Sequence, residues 1–127
     1  MKQTPIVIAL LLLHLSYAKA QTPIEVKDAS SHIGDSVTIC AKIYGGIYLS
    51  KARNQPTFLN MGAAYPGQPL TVVIWGDKRK LFSYKPEEKL KNTEICVSGR
   101  IETFNGKPQI VIPVSYTHLT LPTKRIV

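Results

Sequence analysis

A chain of 127 residues has room for one domain only. Its formal net charge is +8, but removing Lys2, Lys19, Lys124 and Arg125, which lie outside the segment expected to fold, leaves 12 of the 16 basic residues against all 8 acids. The resulting excess of about +4 permits a polyanionic partner without demanding one, and two cysteines with no Cys-x-x-Cys or Cys/His cluster argue against a structural zinc.

The amino terminus has the three regions of a secretory signal peptide. Lys2 is the charged start, residues 6–13 are the apolar run, and Ala18-Lys19-Ala20 is a small-x-small cleavage signal, so 1–20 are expected to be removed before Gln21. The apolar run is well short of the roughly 20 residues a spanning helix needs, so no membrane span is expected after cleavage. At the other end, Val114-Ser-Tyr-Thr-His-Leu-Thr-Leu-Pro-Thr123 resembles a translated sequencing adapter, a transposase mosaic end and its primer extension read in one frame. Residues 113–127 are therefore expected to be a non-native tail, which leaves 21–112 as the domain. So short a domain buries a small core, and burial alone gives it a thin margin of stability.

In chain order, 21–30 is a lead-in with a short strand at 24–26, and Asp28 is placed to cap one helical turn ending at His32. The first main strand covers 36–44, with Val37, Ile39, Ala41 and Ile43 on one face and Thr38, Cys40 and Lys42 on the other. Gly45-Gly46 ends it by a bulge or sharp bend. A loop over 47–56 carries Tyr48, Lys51, Arg53 and Asn54. The second strand is 57–61, followed by a Gly/Pro-rich hairpin loop over 62–69. The third strand, 70–75, is the most β-prone run, with Val72 and Ile74 opposite Thr71, Val73 and Trp75. The charged stretch 78–91 holds a short helix at most, near 86–90, where Pro86 suits the first turn and Glu87 and Glu88 suit the positive end of the dipole. The fourth strand is 94–104, Asn105-Gly106 forms a tight hairpin, and the fifth strand is 107–112.

This pattern predicts an all-β fold: a five-stranded Greek-key OB-fold barrel with a short helix between strands three and four. In that topology the first strand pairs with the fourth. Alternation then puts Cys40 and Cys96 on the outer face of neighbouring strands, where a disulfide is favoured by the even cysteine count and the export signal. Two independent thiols are the alternative.

The segments Ser31-His-Ile-Gly-Asp-Ser-Val-Thr-Ile-Cys-Ala-Lys-Ile, Thr57-Phe-Leu-Asn-Met-Gly, Tyr65-Pro, Leu70-Thr-Val-Val-Ile-Trp, Ile95-Cys-Val-Ser-Gly-Arg-Ile and Gly106-Lys-Pro-Gln-Ile-Val-Ile resemble small exported bacterial OB-fold proteins. These are similar to the OB domains attached to secreted nucleases. The resemblance covers nearly all of 31–112 and implies the fold, with nucleic-acid binding as the associated function. The chain departs from it at Ala41, where the first-strand motif commonly has glycine, and in the segment that usually follows the last strand.

Catalysis is not expected. His32 is the one histidine between signal and tail, and no phosphate loop, Gly-x-Ser-x-Gly or His-Glu-x-x-His occurs. The acids Asp28, Asp35 and Asp77 fall at turns. No metal or other cofactor is implied. A single strand of nucleic acid needs cations for its phosphates and flat aromatic faces for its bases. The OB binding face and its flanking loops supply Tyr44, Tyr48, Lys51 and Arg53 in the first loop region, Asn60 and Trp75 on the sheet, and Lys107 at the far hairpin. Phe58 is expected in the core, and Trp75 stands between core and platform. The expectation is a periplasmic or secreted monomer that binds single-stranded nucleic acid or another extended polyanion. An envelope domain binding a protein partner or an oligosaccharide is the other reading.

Overall fold

The long alternation around Cys40 is the spine of the molecule. A computed structural model describes residues 22–112; the expectations for 1–20 and from residue 113 onward lie outside the described residues. In order the elements are β1 (Thr22–Ile24), a 3₁₀ helix (Val26–His32), β2 (Ser36–Tyr48), β3 (Thr57–Met61), β4 (Leu70–Ile74), α1 (Gly76–Arg79), α2 (Pro86–Lys89), β5 (Glu94–Arg100), β6 (Glu102–Phe104) and β7 (Lys107–Val111).

β2 serves two partners in succession. Its first half pairs antiparallel with β5, from Ser36↔Arg100 to Lys42↔Glu94, and its second half pairs with β3. Between the halves the register passes from Ile43↔Met61 to Gly46↔Leu59, so Tyr44 and Gly45 together oppose Asn60. The expected bulge is there, but it does not end the strand, which runs on to Tyr48. Glycine is required at 46, because a Cβ there would collide with the Phe58 carbonyl oxygen. Val37, Ile39 and Ile43 are buried in the core, with Ala41 packed against it. On the opposite face Cys40 stands directly across from Cys96, and the two form a disulfide.

β3 and β4 pair antiparallel without irregularity, β4 pairs parallel with β7, and β7 forms a hairpin with β6. Asn105 and Gly106 at the tip both have positive φ, 53° and 77°, as the sequence required. The strand order is β1-β2-β3-β4-β7-β6, with β5 joined to β2.

Several expectations need correction. The strand expected at 24–26 lies at Thr22–Ile24 and adds to β2 in parallel. Asp28 does not cap the helical turn: Glu25 is the N-cap residue, no side chain caps it, and the Asp28 backbone N–H donates to the Glu25 carbonyl at 3.0 Å. The strand expected over 94–104 is divided at Ile101. That residue's N–H donates to the Asp35 carbonyl at 3.0 Å and its carbonyl accepts from Gly34 at 2.7 Å, so its backbone leaves the ladder while its side chain is fully buried. β4 stops at Ile74 because the Trp75 carbonyl accepts the Lys78 and Arg79 N–H groups and starts α1, a turn not expected. Phe58 is not a core residue. Thr57, Leu59 and Met61 take the buried face of β3, and alternation leaves Phe58 and Asn60 half-buried on the other.

Candidate nucleic-acid interface

The outer face of β3 and β4 carries two cross-strand rows. In the first, Ile47 pairs with Phe58, Phe58 with Val73, and Val73 with Val111. Val73 is buried although it stands outside the core cluster, since its neighbours in this row cover it, whereas Ile47 at the end of the row is 53% exposed. In the second row Asn60 pairs with Thr71, and Thr71 with Gln109, with the exposed Tyr44 set beside Asn60 by the bulge. An apolar row and an amide-and-hydroxyl row thus lie side by side, with aromatic rings in both.

The sequence-predicted residues divide along this face. Tyr44 and Asn60 stand in its middle, and the Lys42 ammonium lies over the Tyr44 ring at 4.9 Å. Trp75, half-buried, is at one end, beside the loop 49–56 with its exposed Lys51 and Arg53. Lys107 is at the opposite end. The pairing Thr71↔Gln109 puts it level with Pro69, six positions from Trp75, or about 20 Å along the strand. Tyr48 is engaged elsewhere: the Arg79 guanidinium covers its ring at 3.6 Å, and the Arg79 Nη2 in turn donates to both carboxylate oxygens of Glu87, at 2.8 and 3.1 Å. Cys40 and Cys96 are joined in the bridge, away from this face.

The loop and Trp75 form one unit. The Gly76 N–H donates to the Asn54 carbonyl at 2.9 Å, and a Cβ at Gly76 would approach that oxygen and the Gln55 Cβ to 3.0 Å, so glycine permits the close approach. Asn54 and Gln55 have φ of 62° and 46°, left-handed conformations costly for residues with a Cβ. Between loop and strand end lies an open pocket of about 700 Å³ lined by Ala52, Asn54, Gln55, Trp75, Gly76 and Asp77. The hydrogen bond and charge of the Lys78 ammonium hold the Asp77 carboxyl below the usual carboxylate range.

Ile47, Phe58 and Gln109 are outside the binding residues that the sequence suggests. For Phe58 the signal lies in the strand's own alternation, since Asn60, two residues on, shares its face.

The sequence matches no protein-family model and no curated protein. Among solved structures the chain is similar to yeast Stn1 and Ten1, with TM-score 0.55 and 8% identity over 88% of this chain and 68% of that one. It is also similar to asparaginyl-tRNA synthetase from Pyrococcus horikoshii, with TM-score 0.50 and 13% identity over 78% of this chain. The fold is OB-like. At these identities the likeness is one of fold, and the chain spans 22% of the synthetase.

Proposed function

We propose that the chain is an exported, non-catalytic OB-fold module that binds single-stranded nucleic acid across the outer face of β3 and β4. The observation that carries the reading is the pair of rows on that face, rings beside amides, with Lys51 and Arg53 at one end and Lys107 at the other. Bases stack on ring faces whatever their sequence, and cations at both ends hold the phosphates. Reading β5 and β6 as one strand bent at Ile101 gives the neighbour order β2-β3-β4-β7-β6/β5-β2, which supports the proposal of a five-stranded Greek-key barrel. The relatives by fold include a synthetase named for tRNA, which is in keeping with this reading. The Cys40–Cys96 bridge supports residence in an oxidising compartment. Among the described residues no helix is long and apolar enough to cross a membrane.

The test is a titration of the domain with mixed-sequence DNA and RNA single strands at two salt concentrations, followed by tryptophan fluorescence. Binding that weakens steeply with salt is expected, with a change in emission as the strand reaches Trp75. No affinity at low salt for either polymer would remove the proposal and favour a protein or oligosaccharide ligand.

A further inference from the structure

The pocket between the loop 49–56 and the end of β4 has a composition of its own. Its aromatic wall is Trp75, and its polar lining is Asn54, Gln55 and Asp77. These groups mainly accept hydrogen bonds. Asp77 is an ionised carboxylate whose side chain is 70% exposed, and the Lys78 ammonium lies 2.8 Å from its Oδ2. Gln55 directs its Nε2 to the Ser50 carbonyl at 3.1 Å, which engages the amide's donor end and leaves Oε1 as its acceptor. The Asn54 carbonyl is committed to Gly76, so the side-chain amide is what it offers a ligand. The backbone here is strained in two successive residues, and such strain is maintained where the surroundings over-determine it, commonly at ligand sites.

We propose that this pocket takes one base of the bound strand on Trp75 and selects guanine by its donor edge, an inference that rests on the chain being a single-strand binder. Single-stranded bases are recognised by stacking and by hydrogen bonds to their Watson–Crick edge. The guanine edge presents two adjacent donors, N1–H and the N2 amino group, next to the O6 acceptor. A carboxylate accepts both donors at once, one on each oxygen, and its Oδ2 has a second lone pair for the Lys78 ammonium. Adenine, cytosine and thymine each present one donor group on that edge, so each leaves Asp77 half-matched. A pair of hydrogen bonds of this kind discriminates by about tenfold or more.

The experiment compares an octathymidylate with the same strand carrying one central guanine, adenine, cytosine or hypoxanthine, in DNA and RNA forms, at one low salt concentration with Trp75 fluorescence as readout. The guanine strand is expected to bind about tenfold more tightly than the thymidylate, and hypoxanthine, lacking the N2 amino group, is expected to fall between. Asp77→Asn replaces one acceptor oxygen with an NH2 donor that faces a guanine donor, and is expected to lose most of the guanine preference. Asn54→Gly, which keeps the left-handed backbone, is expected to lose part of it. Thermal midpoints of both variants report that they fold. Equal affinities for all bases, or a preference for another base, would overturn the inference and leave the binding reading intact. Absence of salt-sensitive binding to any strand would overturn both.

Discussion

Thr57 and Arg79 are two polar side chains that the fold withdraws from water with opposite consequences. Thr57 is fully buried at the start of β3, opposite Ile74, and its Oγ1 has no hydrogen-bond partner among the described residues. A buried hydroxyl left unpaired costs about 1 kcal/mol or more, while valine has the same shape without the polar atom. Thr57→Val is therefore expected to raise the thermal midpoint by about 5 °C, measured by circular dichroism; a lower midpoint would mean that the hydroxyl is satisfied. Arg79 is the opposite case. Its planar group lies on Tyr48 and grips both oxygens of Glu87, and both side chains of the ion pair are largely buried. Lysine keeps the charge but lacks the flat face that covers Tyr48, so Arg79→Lys is expected to cost about 2 kcal/mol in chemical denaturation. A cost near zero would mean that the stacked guanidinium contributes nothing and would return Tyr48 to the rings open to a ligand.

Among the elements, β2 carries most of the architecture, and its two halves make separate predictions. The bridge between its first half and β5 closes a loop with a sequence separation of 56 residues. Constraining the unfolded chain in that way contributes about 4 kcal/mol, a large share for a domain of this size. Reduction under native conditions is expected to lower the thermal midpoint by more than 10 °C, on the scale of about 4–8 °C per kcal/mol for a domain this small. In the second half, Gly46→Ala would push a methyl group into the Phe58 carbonyl, at an expected cost of about 3 kcal/mol. Gly45→Ala has open space around it and meets only the penalty of its φ of 135°, so the ratio of the two costs tests whether the bulge holds β2 against β3. The bulge also marks how far the sequence could be read. Alternation marked β3 and the first half of β2, and Asn105-Gly106 marked its turn, because these depend on local chemistry, whereas the facing of Cys40 and Cys96 followed only once the neighbouring strands of the fold were assumed. It did not reveal the break at Ile101, whose cause is a pair of hydrogen bonds to the distant Gly34-Asp35 turn, nor the Arg79 cover on Tyr48, which depends on a helix folding back. The loop signals at 47–56 identified cations and a ring, but the pocket exists only because Gly76 lets that loop approach β4.

At the scale of the whole molecule, the question is whether the proposed binding of a nucleic-acid strand depends on net charge or on where the charges stand. The described domain carries a modest basic excess, and part of it lies off the strands of the candidate face: Lys80, Lys85 and Lys89 are exposed in the helical connection between β4 and β5. Lys51, Arg53 and Lys107 are equally exposed but stand at the two ends of the face that holds Phe58, Asn60 and Trp75. Replacing either set of three with alanine removes the same charge. If long-range attraction alone held the strand, both triple variants would weaken binding alike and lose the effect together at high salt. If phosphates are gripped at the ends of the face, only the Lys51/Arg53/Lys107 variant should lose affinity. Its slope of log K against log salt should also flatten by about 2, since each contact to a single strand contributes about 0.7. The Lys80/Lys85/Lys89 variant should keep the slope of the unaltered protein. Parallel slopes for all three proteins would move the strand off this face, and a flattened slope in the helical variant alone would put it on the connection between β4 and β5.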